Sequence, residues 1–96
     1  MSLITEIDNA LREQRRESAQ AYERACRVIP SGTVSRARIL PTFPFYTGRG
    51  EGSKIYDIDE NGYVDCGIGF GSHILGHAHP VVVEAAQKAI EDCTGY

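Results

Sequence analysis

The 96-residue chain has no tryptophan, only eight other aromatics (five Tyr, three Phe), and two lysines, Lys54 and Lys88. Few large aromatics in so short a chain imply a thin core, because small domains bury a smaller share of their surface. Its three cysteines, Cys26, Cys66 and Cys93, are odd in number and irregular in spacing. This excludes a regular disulfide framework and suits a reducing compartment, with the thiols expected to be small buried or half-buried side chains. No apolar run is long enough to span a bilayer. The N-terminus carries Glu6 and Asp8 where a secretory signal would be basic and then apolar. The formal net charge of −3 leaves no strongly basic face, which argues against nucleic acid as a partner. A cytoplasmic protein of at most one small domain, without membrane contact, is the expectation.

What the chain does have is ordered. Residues 4–29 read as one helix. Ile4, Ile7 and Leu11 form an apolar stripe and Tyr22, Ala25, Cys26 and Ile29 a second, separated by the polar run 12–17. Pro30-Ser31-Gly32 supplies the stop. From 33 to 53 no helical period appears. Pro41 and Pro44 favour extended backbone, Phe43, Phe45 and Tyr46 are apolar anchors, and Gly48, Gly50 and Gly52 read as a loop turning into a strand. A hairpin follows. Matching apolar faces sets Ile58 opposite Val64 and Tyr56 opposite Cys66 around a three-residue loop, Glu60-Asn61-Gly62, with Gly62 left-handed. Asp57 and Asp65 would then face each other on the polar side. Pro80 to Cys93 reads as a second helix, with proline at its first position and Gly95 at its end.

Several groups invite chemical readings. Gly67-Ile68-Gly69-Phe70-Gly71 follows a strand, but the dinucleotide-binding spacing needs glycine where Ser72 stands. The glycines instead let backbone pass close to a bulky neighbour. His73, His77 and His79 with Cys66 fit no standard zinc spacing. They are expected to cap the following helix or bond backbone, with no metal. The solvent face of a small hairpin gives Asp57, Asp59 and Asp65 neither a pocket nor a perturbed pKa for acid–base work. Ser35-Arg36-Ala37-Arg38 is more suggestive, since the guanidinium fork matches a carboxylate in two hydrogen bonds. Taken alone, each arginine is a surface residue.

Gly50-x-Gly52-x-x-Ile55-Tyr56-Asp57-Ile58-Asp59, then Tyr63-Val64-Asp65, then Leu75-Gly76-His77-Ala78-His79-Pro80 together resemble the N-terminal part of class III, fold-type I pyridoxal-phosphate (PLP) enzymes. The likeness is greatest to the glutamate-1-semialdehyde aminomutase branch. It implies an α+β segment (N-terminal helix, small antiparallel sheet or hairpin, second helix) of a larger α/β parent whose PLP-binding domain and Schiff-base lysine lie elsewhere. It implies a homodimeric aminotransferase or aminomutase acting on an amino acid or amino-carbonyl substrate, with this segment touching the partner subunit. It also implies a substrate-carboxylate contact at Ser35 with Arg38 or Arg36, both patterns being present. Phe70 becomes an aromatic wall, where aminomutases carry tryptophan. Neither Lys54 nor Lys88 has a desolvated setting suited to nucleophilic work. A second possibility, from a different class, is a non-catalytic interaction module or remnant.

Overall fold

Helix α1, Leu3–Gln14, and helix α2, Arg16–Cys26, open the computed structural model, which describes residues 2–35 and 42–93. They are followed by a 3₁₀ turn, Pro30–Gly32, strands β1 (Thr47–Glu51), β2 (Lys54–Asp57) and β3 (Gly62–Val64), and helix α3, Pro80–Asp92. The strands form one antiparallel sheet in the order β1-β2-β3. Gly48 and Gly50, read from the sequence as part of a loop turning into a strand, already lie in β1. None of the described helices is long and apolar enough to cross a membrane.

The single helix expected over 4–29 is broken at Arg15, whose backbone lies at φ −127°, ψ 57°. The cause is tertiary. Asp59 accepts from the N–H groups of Glu17 (2.6 Å) and Ser18 (3.0 Å) and from Ser18 Oγ (2.6 Å). A carboxylate thus caps the new N-terminus of α2, whose free amides and dipole favour negative charge. On the other side of the break, Asn61 Nδ2 donates to the Gln14 carbonyl at the end of α1 (3.3 Å). Arg15 itself turns its Nε to Tyr63 Oη (3.1 Å) and lays its guanidinium over the Tyr63 ring. The loop of residues 57–61 is therefore wedged between two helix ends, and α2 ends at Cys26, short of the Pro30 stop.

The same loop corrects the hairpin register. Tyr56 faces Gly62, not Cys66, and Val64 faces Lys54, not Ile58. The loop is three residues long as expected, but it is Ile58-Asp59-Glu60, closed by Asp57 N–H donating to the Asn61 carbonyl (3.0 Å). Its left-handed residue is Glu60 at φ 64°, not Gly62. Apolar matching lost to a polar centre. Asp57 is 1% exposed and its carboxyl oxygens accept from the N–H groups of Asp59 and Asn61, from Asn61 Nδ2 and from Tyr63 Oη. A buried carboxyl needs this many donors, and this register supplies them. Asp57 consequently lies beneath the loop and does not face Asp65.

The apolar core is as thin as composition implies: among the described residues only Ala19 and Phe43 are buried hydrophobics. Phe43 stacks on Tyr22 beneath the Arg12 guanidinium, and Phe45 packs on Tyr63. All three cysteines are exposed rather than buried, as a chain with so thin a core leaves them, although the Cys26 sulfur lies against Gly32 and Tyr22. Helix α3 starts at Pro80 as expected, with His79 at its cap position. Its expected stop at Gly95 lies outside the described residues.

Candidate functional site

The chain leaves β3 at Val64 and enters a loop clamped at both ends. Asp65 N–H donates to the Ser53 carbonyl (2.9 Å), and Asp65 Oδ1 accepts from the N–H groups of Gly67 and Ile68 (2.9 Å each). This Asx turn leaves Oδ2 to meet His77 Nε2 at 2.6 Å. His77 is fixed in turn by a two-way backbone bridge to Gly52 (2.8 and 3.0 Å). Its ring lies where a Cβ on Gly50 would come within 2.8 Å of Cγ, so glycine at 50 is required by close approach. The Asp65–His77 pair thereby joins the sheet to the segment that opens α3.

Between the clamps the backbone turns left-handed through Ile68 (φ 41°), Gly69 (60°), Phe70 (56°) and Gly71 (87°). Two of these are not glycines, and a large side chain in that region costs on the order of 1–2 kcal/mol. The turn is held by Phe70 N–H to Gly67 O, Gly71 N–H to Ile68 O and His73 N–H to Ile68 O. Its result is that Phe70 stands 97% exposed. Asp65, Gly67, Gly69 and Phe70 line a shallow cleft of about 150 Å³.

The hydrogen bond from His77, helped by the Ile68 and Gly67 amides, holds the Asp65 carboxyl below the ordinary aspartate range despite some burial. The group is an anion with both oxygens engaged, Oδ1 by the two amides and Oδ2 by His77.

Of the expected site residues, Phe70 lines the cleft and Ser35 does not. Ser35 is half-buried, its N–H donating to Thr33 Oγ1 (3.2 Å) while that hydroxyl donates to the Ser35 carbonyl (3.1 Å). Arg36 and Arg38 lie outside the described residues. The histidines do not behave as expected. His79 makes no side-chain cap bond, and His73 and His77 gather with Asp65, not with Cys66. Sequence reading missed Asp65 as their partner, although Asp two residues before Gly at a strand end is the pattern of an Asx turn.

Comparison with known proteins places this geometry. The aminotransferase class-III family matches residues 34–95. The chain belongs to the class III aminotransferases. It is 45% identical over 75 residues to the glutamate-1-semialdehyde 2,1-aminomutase of Methanocella arvoryzae, covering 78% of this chain and 18% of that protein. The solved glutamate-1-semialdehyde aminomutase from Pseudomonas aeruginosa PAO1 superposes with a TM-score of 0.78 at 29% identity, over 93% of this chain and 20% of that one. A solved transaminase with PLP bound gives a TM-score of 0.79 at 33% identity, over 85% and 19%. The α+β arrangement is thus that of a segment of the fold-type I enzymes, as the sequence resemblance implied. The chain spans about a fifth of the length of the curated relatives it matches.

The two lysines of this class III segment do not suit PLP. Lys54 on β2 and Lys88 on α3 are both exposed, and the cleft beside Phe70 contains neither.

Proposed function

We propose that this chain is the N-terminal segment of a cytoplasmic, homodimeric, PLP-dependent aminotransferase or aminomutase that acts on an amino acid or amino-carbonyl substrate. The reading rests on the class III match, on the aminomutase and PLP-bound transaminase relatives, and above all on Phe70. An aromatic side chain held almost fully in solvent, on backbone it does not favour, contributes nothing to the folding of these residues. Its exposure leaves it free for a contact outside these residues, which supports the reading. In the proposed enzyme PLP serves as the electron sink for moving the amino group, and it is held by residues beyond this segment. Phe70 walls the substrate pocket, Ser35 with Arg36 or Arg38 grips the substrate carboxylate, and the exposed face of the segment meets the partner subunit or the large domain.

The test is kinetic. In the class III enzyme carrying this segment, Arg36→Ala and Arg38→Ala are compared using a carboxylate substrate. One of them is expected to raise KM by at least tenfold, the loss of a charged hydrogen bond worth about 1.5–3 kcal/mol. Parental KM and kcat in both variants would refute the carboxylate assignment. The cofactor assignment is tested on the 96-residue chain by PLP titration, borohydride reduction and peptide mapping. No stoichiometric lysine adduct is expected, and an adduct at Lys54 or Lys88 would overturn it.

A further inference from the structure

The Asp65–His77 pair has a third neighbour. His73 approaches His77 edge to face, with ring centroids 4.7 Å apart. One oxygen of Asp65 and one ring nitrogen from each histidine all lie within 4.8 Å of one another. Two of the three donors are held from behind, and the third has its backbone fixed. Asp65 is held through Oδ1 by two backbone amides, and His77 by its bridge to Gly52. His73 is set by its N–H to Ile68 O (3.1 Å) and by the Gly76 N–H on its carbonyl (2.8 Å). Its ring occupies space that a Cβ on Gly69 would invade at 2.9 Å.

We propose that Asp65, His73 and His77 form a binding site for a divalent first-row metal ion, with zinc the best match. Two imidazoles and one carboxylate are a zinc donor set, and three protein ligands leave the remaining position to water. In a tetrahedral site, metal–donor distances of 2.0–2.2 Å set donors about 3.3–3.6 Å apart. The observed limit of 4.8 Å exceeds that by more than an ångström, and His73, exposed at its ring, is the donor that must swing inward to close it. The bound Asp65 carboxyl keeps its amide donors, the kind of backing that orients ligands in metal sites. For the metal to enter, the proton between His77 Nε2 and Asp65 Oδ2 moves to His77 Nδ1 by tautomer exchange through solvent, which frees the Nε2 lone pair and the Oδ2 oxygen without net proton release. Spacing among the histidines and Cys66 alone did not show this, because the third donor comes from the end of β3. The site shares Asp65 with the cleft that Phe70 lines, but its test does not depend on the aminotransferase reading.

The experiment uses the 96-residue chain with Cys26, Cys66 and Cys93 changed to serine, which removes competing thiolates. Zinc chloride is titrated in equilibrium dialysis, and the Cε1–H signals of the three histidines are followed by NMR. One zinc per chain is expected, with the His73 and His77 signals shifting and that of His79 staying. His73→Asn is expected to weaken binding at least about tenfold while leaving the far-ultraviolet circular dichroism unchanged. An absence of one-to-one binding, equal shifts at all three histidines, or undiminished affinity in His73→Asn would overturn the proposal.

Discussion

The two halves of this chain are built differently. In residues 2–65 a buried carboxyl organises everything near it: Asp57 collects the hairpin loop and Tyr63, while its neighbours Asp59 and Asn61 hold the facing ends of α1 and α2. In residues 67–93 nothing is buried, and Val81, Val82, Val83 and Ile90 of α3 are all exposed, as are Ile74 and Leu75 before it. The first half is specified by polar satisfaction, where one missing partner is costly. The second half has helix-forming sequence and an apolar face without a layer to cover it, and such a face marks a contact surface. An apolar face and an exposed Phe70 on one side of a clamp, with a self-contained polar knot on the other, fit a segment that folds around its own loop and offers the rest outward.

The sharpest way to break this contrast is Asp57→Ala. It orphans the amides of Asp59 and Asn61 and the Tyr63 hydroxyl, a loss on the order of 3 kcal/mol or more. For a chain of this size that is a large part of total stability. Urea unfolding followed by circular dichroism should lose its cooperative transition or shift strongly to lower urea. Unchanged unfolding would place the organising centre elsewhere.

A smaller effect is expected from Asp59. Burial pushes its carboxyl pKa up, but the Ser18 hydroxyl and the Glu17 and Ser18 amides outweigh this and hold it below the ordinary range. A depressed carboxyl stabilises the fold above the unfolded-chain pKa of about 3.9, and that contribution is lost as pH falls through the lower folded value. Asp59→Asn should cost about 1–2 kcal/mol near neutral pH and flatten the stability profile below pH 4. A parallel profile in variant and parent would refute the cap. The smallest effect on stability should come from α3. Val82→Lys with Ile90→Lys is expected to change unfolding by no more than about 0.5 kcal/mol per site, yet to reduce self-association measured by light scattering. A large loss of stability would mean that α3 is packed after all.

These differences also decide what could be read from sequence. Helix α3 was legible because Pro80 and its apolar spacing are local signals, and the existence of a hairpin was legible although its loop residues were not. The break at Arg15 was not, since nothing between residues 12 and 17 forbids helix; its cause is a carboxylate 42 residues away in the chain. The register was misread because alternation of Tyr56, Ile58, Val64 and Cys66 was allowed to outrank a buried Asp57. At the candidate site the glycine turn was legible, whereas the Asp65–His77 clamp needed a pairing across 12 residues that no local pattern encodes.

Amide hydrogen exchange on the 96-residue chain tests the division between the halves most directly. Protection should be strongest at Ser18, Asp57, Asp59 and Asn61, whose N–H groups the polar knot engages, and weak throughout α3, which opens without disturbing the rest. Equal protection of α3 and the knot would contradict the account, because it would show that the exposed helix is already part of one cooperative core.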